Sequence, residues 1–192
     1  PFGCGGDSTK TGEGALSSPE VQASLSQVLV DTWPAVIAPA LTDARTATED
    51  LVAATKAWRD AVVSGSGAAA ARKDAQAAWR IAVAAWQRLE VMQLGPAGAS
   101  LTAVGGADLR DEIYSWPTTN ACRVDQETAE EAWGDADFFE VNLVNVYGFD
   151  AIENLLFAAS DENACPPQVP PNSNDAFENL GEDGVALNRA RY

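Results

Sequence analysis

The fold is decided by one stretch, residues 147–157, which reads Tyr147-Gly148-Phe149-Asp150-Ala151-Ile152-Glu153-Asn154-Leu155-Leu156-Phe157. Its apolar residues recur at helical spacing and predict a helix with one core-facing side. Asp150 and Glu153 are three residues apart, so their side chains share one side of that helix, at the border of the apolar stripe. Two carboxylates so close to a core repel each other and resist dehydration. They need protonation, a basic partner or a bound cation, and the stretch itself leaves these alternatives open.

The segments before this stretch predict an all-α protein. Ser18 and Pro19 are typical of the cap and first residue of a helix. Alanine-rich sequence at three- and four-residue spacing predicts a long helix that ends at the turn 64–67 and a second helix over residues 68–94. Because the turn between them is short, these helices should run antiparallel, as in a helical bundle.

Further helices are predicted around and after the opening stretch. A continuous helix is expected from Asp137, with Phe138 and Val141 facing inward, into the opening stretch, and a last helix from about Asp183. Four tryptophans at helical spacing are interpreted as core residues: Trp33, Trp58, Trp79 and Trp86.

The charge balance excludes several classes of function. The chain of 192 residues carries 28 acidic and 12 basic side chains, a formal net charge of −16, and no histidine. Such a chain is repelled by nucleic acid and by anionic membrane surfaces. Without histidine it can form neither a Ser-His-Asp triad nor a His-ligated zinc site. Any metal site here would depend on oxygen ligands, which favour calcium, magnesium, manganese or iron.

The cysteines suggest export. Cys122 and Cys165 lie in loop-like contexts and suit a disulfide in an oxidising compartment, although sequence alone does not fix the pairing. Cys4, between glycines and followed by polar residues, resembles the processing site of a bacterial lipoprotein, and lipidation there is predicted, with a free or disulfide-bonded thiol as the alternative. Residues 1–17 would then be a flexible tether and residues 18–192 the helical domain.

Three separate stretches together resemble the imelysin-like family of bacterial envelope proteins, also called insulin-cleaving membrane proteases. These are Trp79 to Gly95, Asp111 to Pro117, and Gly148 to Phe157, the last resembling the family signature Gly-x-His-x-x-Glu. The resemblance implies an all-helical fold of two related bundles, of which this chain supplies the first and the start of the second. It also implies a periplasmic or cell-surface protein held by a lipid anchor. Some family members were named peptidases, and others belong to iron-uptake systems.

The sequence departs from the family at two positions that affect the site. Asp150 stands where the signature has histidine, and Gln93 stands where the family has an arginine after the glutamate at position 90. Loss of the histidine disfavours a hydrolytic zinc site, so no catalytic residue is assigned. A site for a hard cation, iron among them, formed by Asp150, Glu153 and Glu90 is expected instead.

Other interpretations of the acid pair remain. Asp150 and Glu153 could be surface acids paired with Arg80, Arg88 or Arg123. The chain could also belong to a metallopeptidase that takes its base from elsewhere, or be a helical module that binds a partner protein without metal. The expected partners are a metal ion or envelope uptake proteins, with no nucleic acid and with membrane contact only through the anchor.

Overall fold

A computed structural model describes residues 18–93, 95–159 and 161–192. The predicted tether and its lipidation site, Cys4, lie outside these residues. The α-helices are α1 Pro19–Thr32, α2 Ala38–Ser64, α3 Ala68–Glu90, α4 Leu109–Ile113, α5 Ala121–Glu130, α6 Phe138–Val141, α7 Gly148–Phe157 and α8 Ala176–Arg191. Residues 33–37 form a π-helical turn between α1 and α2. The described residues contain no strand, so the predicted all-α class is confirmed. None of the helices in the described ranges is long and apolar enough to cross a bilayer.

The chain divides into two compact units at a boundary between Thr42 and Asp43, within α2. In the N-terminal unit α1 begins where predicted, because Ser18 caps it by accepting a hydrogen bond from the Val21 amide at 3.3 Å. Across residues 18–42, the described part of this unit, no side chain is buried. Trp33 is 55% exposed, so its assignment to the core is wrong. The described part of this unit contains only consecutive helical segments, which supply no second layer to cover its indole.

The main core of the C-terminal unit is formed chiefly by α2, α3 and α7. Its large buried side chains are Leu51, Trp58, Trp79, Trp86, Phe149 and Leu156. The core positions of the other three predicted tryptophans are therefore confirmed. Along α3, Trp79 and Trp86 alternate with fully buried alanines at 75 and 82, which lets large side chains of the neighbouring helices fit between them.

A second, smaller core lies on another side of α7. Its buried members are Val124, Phe138, Val146, Ala151 and Leu155, and Tyr192 packs against it. Because α7 contributes side chains to both cores, it is apolar over most of its surface, and its few polar side chains are confined to the remaining strip.

The predicted continuous helix from Asp137 into the opening stretch is not formed. The chain instead makes the short helix α6, a 3-10 turn at residues 144–146, and then a new helix, α7. Asn142 is extended at the end of α6, and Gly148 has a φ of +77°. A left-handed residue interrupts a right-handed helix, so α7 starts afresh there. Val141, predicted to face inward, is 69% exposed as a result.

The predicted disulfide between Cys122 and Cys165 is present. It joins the first turn of α5 to the loop that precedes α8. Next to it, the buried Asp125 carboxylate accepts a hydrogen bond from the Ala164 amide at 2.8 Å and pairs with Arg189 at 3.4 Å. Asp125 therefore acts as an ion-paired residue that also binds the loop before α8. α8 begins at Ala176, earlier than predicted, and is kinked at Gly181.

Candidate functional site

Asp150 lies in the first turn of α7 and is only 1% exposed, deeper than the border position predicted for it. The helix dipole favours a negative charge at this end of a helix. The buried Ser115 hydroxyl donates a hydrogen bond to Asp150 Oδ2 at 2.5 Å. The other oxygen, Oδ1, is buried and has no hydrogen-bond partner among the described residues. One of the two carboxylate oxygens therefore lacks the hydrogen bond that buried polar atoms normally make.

Gly148 sets the approach between α4 and α7. A Cβ atom at this position would lie 2.7 Å from the Ile113 carbonyl oxygen and 2.9 Å from that of Glu112. The absence of a side chain lets the end of α4 pack directly against the start of α7. This close approach holds the segment that follows α4, with Ser115 in it, against Asp150.

Glu153 is partly buried one turn further along α7. Burial is the main cause that raises its pKa above the ordinary carboxyl value, and the nearby charge of Asp150 raises it further. Within the described ranges, neither acid forms an ion pair with Arg80, Arg88 or Arg123. The Arg80 guanidinium instead lies 4.7 Å from the centre of the Phe157 ring. The two carboxylates thus stand together without a basic partner in the part of the chain that is described.

Glu90, the third predicted ligand, has a partner that the sequence did not reveal. Both Nε and Nη2 of Arg110 lie 2.8 Å from Glu90 Oε1. Arg110 belongs to α4, twenty residues after Glu90, and no sequence pattern linked the two positions. Arg110 therefore supplies a positive charge directly next to Glu90.

The hydroxyl of Tyr114 is influenced by the charges of all three acids. Burial raises the pKa of its hydroxyl, and the charges of Glu153, Asp150 and Glu90 each raise it further, so all three carboxylates act on this ring. Even so, no three His, Cys, Asp or Glu side chains in the described residues are placed to hold a metal ion together. The acids share a neighbourhood without forming a closed three-carboxylate cage.

A row of donors on α3 fixes α7 at both of its ends. Trp79 Nε1 donates to the Phe149 carbonyl at 2.9 Å, next to Asp150. At the other end, Gln76 donates to the Leu156 carbonyl at 2.7 Å, while Arg72 donates to the carbonyls of Leu156 and Ala158 at 2.9 and 2.7 Å. The contacts from Gln76 and Arg72 satisfy carbonyls that the C-terminal end of a helix leaves unpaired. Together with the Trp79 contact, they hold the acid pair in place relative to the bundle.

Another buried acid, Glu127 on α5, was not predicted. It is 1% exposed and forms an ion pair with Arg123, four residues earlier. Burial is the largest influence on it and raises the pKa of its carboxyl, although Arg123 acts in the opposite direction. The i, i+4 arrangement of Arg123 and Glu127 was the available signal for this pair.

Tyr147, which precedes α7, contacts a residue of α4. Its hydroxyl donates a hydrogen bond to the Glu112 carboxylate. Burial, followed by that contact, raises the pKa of Tyr147 to about 12. The phenol therefore stays protonated and remains a donor to Glu112 at neutral pH.

The comparisons with known proteins give one match. A family model described as Imelysin, Peptidase_M75, matches residues 37–180, which is more than half of the chain. No curated protein matches, and no solved structure does. The matched residues include α3, α4 and α7, which together build the site around Asp150.

Proposed function

The chain belongs to the imelysin family, a family of bacterial secreted and envelope proteins, and from that premise we propose that it binds a metal cation at Asp150 and Glu153 without being an enzyme. The ion would be a hard cation such as iron, because the donor atoms are carboxylate oxygens and the chain has no histidine. Delivery of that ion to envelope uptake proteins would be the biological role.

The observation that carries this proposal is the unpaired, buried Oδ1 of Asp150. A buried anionic oxygen without a hydrogen bond is costly, and a cation that reached it would remove that cost. Glu153, three residues on, would supply the second carboxylate. Glu90 would join them only if its ion pair with Arg110 opened, so the protein's own ligand set is two carboxylates, with water completing the shell.

The metallopeptidase alternative is less well supported. The zinc of such enzymes is held largely by histidine side chains, and these 192 residues contain no histidine. Ser115 donates a hydrogen bond to Asp150, but it is only 7% exposed, and this burial leaves its hydroxyl badly placed to attack a peptide. A partner-binding module without metal would be favoured if an Asp150→Asn/Glu153→Gln double variant kept both its stability and its partner.

The direct test is a titration of the full chain with Mn²⁺, Ca²⁺ and Fe³⁺, followed by calorimetry. Wild type should bind at least one of these ions, and Asp150→Asn and Glu153→Gln should each weaken binding by about tenfold or more. Glu182→Gln removes an exposed carboxylate of α8 and serves as the matched control, with affinity unchanged. If wild type binds none of the three ions at millimolar concentration, the metal proposal is wrong.

Anchoring at the cell envelope is a separate part of the proposal. Cys4 would carry the lipid, and residues 1–17 would act as the tether. Cys4→Ala should move the protein from the membrane fraction to the soluble fraction, and mass spectrometry of the wild-type N-terminus should show added acyl chains. Recovery of both forms in the soluble fraction would contradict this anchoring.

A further inference from the structure

A groove opens beside the acid pair, between the segment that follows α4 and the helix α7. Its volume is about 410 Å³, which lies within the range of small-molecule sites and is far larger than a single ion requires. Trp116 and Phe157 line it together with Asp150 and Glu153. The described residues lining the groove include two carboxylates and neither lysine nor arginine.

The two acids occupy different depths in this groove. Asp150 lies beneath its floor, almost without exposed surface, whereas Glu153 is partly exposed. A ligand would therefore touch the carboxylate of Glu153 and feel the charge of Asp150 from below. Two negative charges beside one open groove attract a positive group more strongly than a single surface acid does.

Trp116 gives the groove an aromatic surface. Its side chain is 63% exposed, although it stands directly beside a buried acid. Phe157 already has the Arg80 guanidinium near its ring, at 4.7 Å, so Trp116 is the more accessible of the two aromatic walls. An exposed indole next to carboxylates suits a ligand that is positive at one end and flat or apolar at the other.

We infer that this groove binds an organic cation, namely an ammonium, amidinium or guanidinium group joined to a flat or aliphatic body. The positive group would lie against Glu153 above Asp150, and the body would lie against Trp116. This inference rests on the same acid pair as the proposed function. It differs from that proposal because an organic cation requires only one accessible carboxylate, whereas a metal ion requires several oxygen ligands at short distance.

The test uses benzamidine, which is a cation at neutral pH, and benzamide, its neutral counterpart of nearly the same shape. Both are titrated into the full chain and followed by calorimetry and by tryptophan fluorescence. Benzamidine should bind about tenfold more tightly than benzamide, and Glu153→Gln should remove most of that difference. Trp116→Ala should weaken benzamidine about fivefold, and Trp116→Phe should restore part of the loss because it keeps an aromatic ring.

The control is Phe139→Ala, which removes another exposed aromatic side chain that does not line the groove; it should leave benzamidine binding unchanged. Equal binding of benzamidine and benzamide would overturn the inference, and so would an unchanged benzamidine affinity in both Trp116 variants. Mn²⁺ titrated in parallel separates the two proposals. Mn²⁺ binding without benzamidine binding would leave the metal proposal standing and overturn this one, and the reverse result would support the organic cation in place of the metal.

Discussion

Gly148 determines where Asp150 lies. Its φ of +77° starts α7 in a new direction, and its missing side chain admits the carbonyls at the end of α4. Ser115 then comes within hydrogen-bond distance of Asp150. The position of the site therefore depends on a backbone contact as much as on the acids themselves.

Gly148→Ala should destabilise the protein by roughly 1–3 kcal/mol or more, because a left-handed alanine is strained and its Cβ also meets the α4 carbonyls. Urea denaturation followed by circular dichroism measures the change. Gly65→Ala is the matched control, since Gly65 has a φ of +68° but nothing within 4 Å of the added atom. Gly65→Ala should lose only the stability that backbone strain costs. Equal losses of stability in Gly65→Ala and Gly148→Ala would mean that the contact with α4 has no energetic effect.

Glu153→Gln should stabilise the protein near neutral pH by about 0.5 kcal/mol, since it removes one of two neighbouring like charges. The folded-state pKa of Glu153 is raised, so wild-type stability falls as pH rises from the ordinary carboxyl pKa through the raised value. The advantage of glutamine should be absent below this window and complete above it. Denaturation curves across acidic to neutral pH measure it, with Glu182→Gln as the exposed comparison, and a pH-independent difference would contradict the assignment.

At the scale of single residues, the sequence predicted the pairing of the two acids but not their surroundings. The i, i+3 spacing placed Asp150 and Glu153 together because helix geometry alone sets that distance. The depth of Asp150 and the partners Ser115 and Arg110 could not be predicted. They come from segments whose positions relative to α7 depend on tertiary packing.

Among the elements, α3 holds α7 in place through side-chain hydrogen bonds as well as through apolar contact. Arg72, Gln76 and Trp79 lie along one side of α3 and donate to carbonyls at the two ends of α7. The long helices were predictable because alanine and tryptophan repeat along them. The break before α7 was not predictable, because apolar residues continue through it and only Gly148 marks the interruption.

Arg72→Met should cost about 1–3 kcal/mol, because the carbonyl of Ala158 loses its charged donor and that of Leu156 keeps only Gln76. Arg45→Met removes an exposed arginine paired with Glu49 on α2 and should leave stability almost unchanged. Thermal and urea unfolding of both variants provide the comparison. If the two losses are equal, capping of α7 by Arg72 contributes nothing measurable.

On the scale of the molecule, alanine-rich periodicity predicted an all-α chain, and the loop contexts of two cysteines suggested a disulfide between them, since both are local signals. The division between Thr42 and Asp43 and the exposure of Trp33 were not predictable. A tryptophan at helical spacing shows that one side of a helix is apolar but does not show that another element covers it.

Reduction of the Cys122–Cys165 disulfide should lower stability by about 4 kcal/mol in the chain-entropy model, since the two cysteines are 43 residues apart. Urea denaturation with and without dithiothreitol measures the difference. The Cys122→Ser/Cys165→Ser variant should resemble the reduced protein and should not respond to the reductant. An unchanged midpoint for wild type on reduction would show that the packing of α5 and α8 holds the loop unaided.

Burial gives the tyrosines of this chain a common property. The pKa of Tyr114, of Tyr147 and of Tyr192 is raised, and burial is the largest cause for each; these are all the tyrosines that the sequence contains. Unfolded tyrosine ionises near pH 10. In mildly alkaline solution, the ultraviolet absorption of phenolate would therefore come from unfolded molecules before it came from native ones, which gives the protein an optical signal of unfolding that needs no added label.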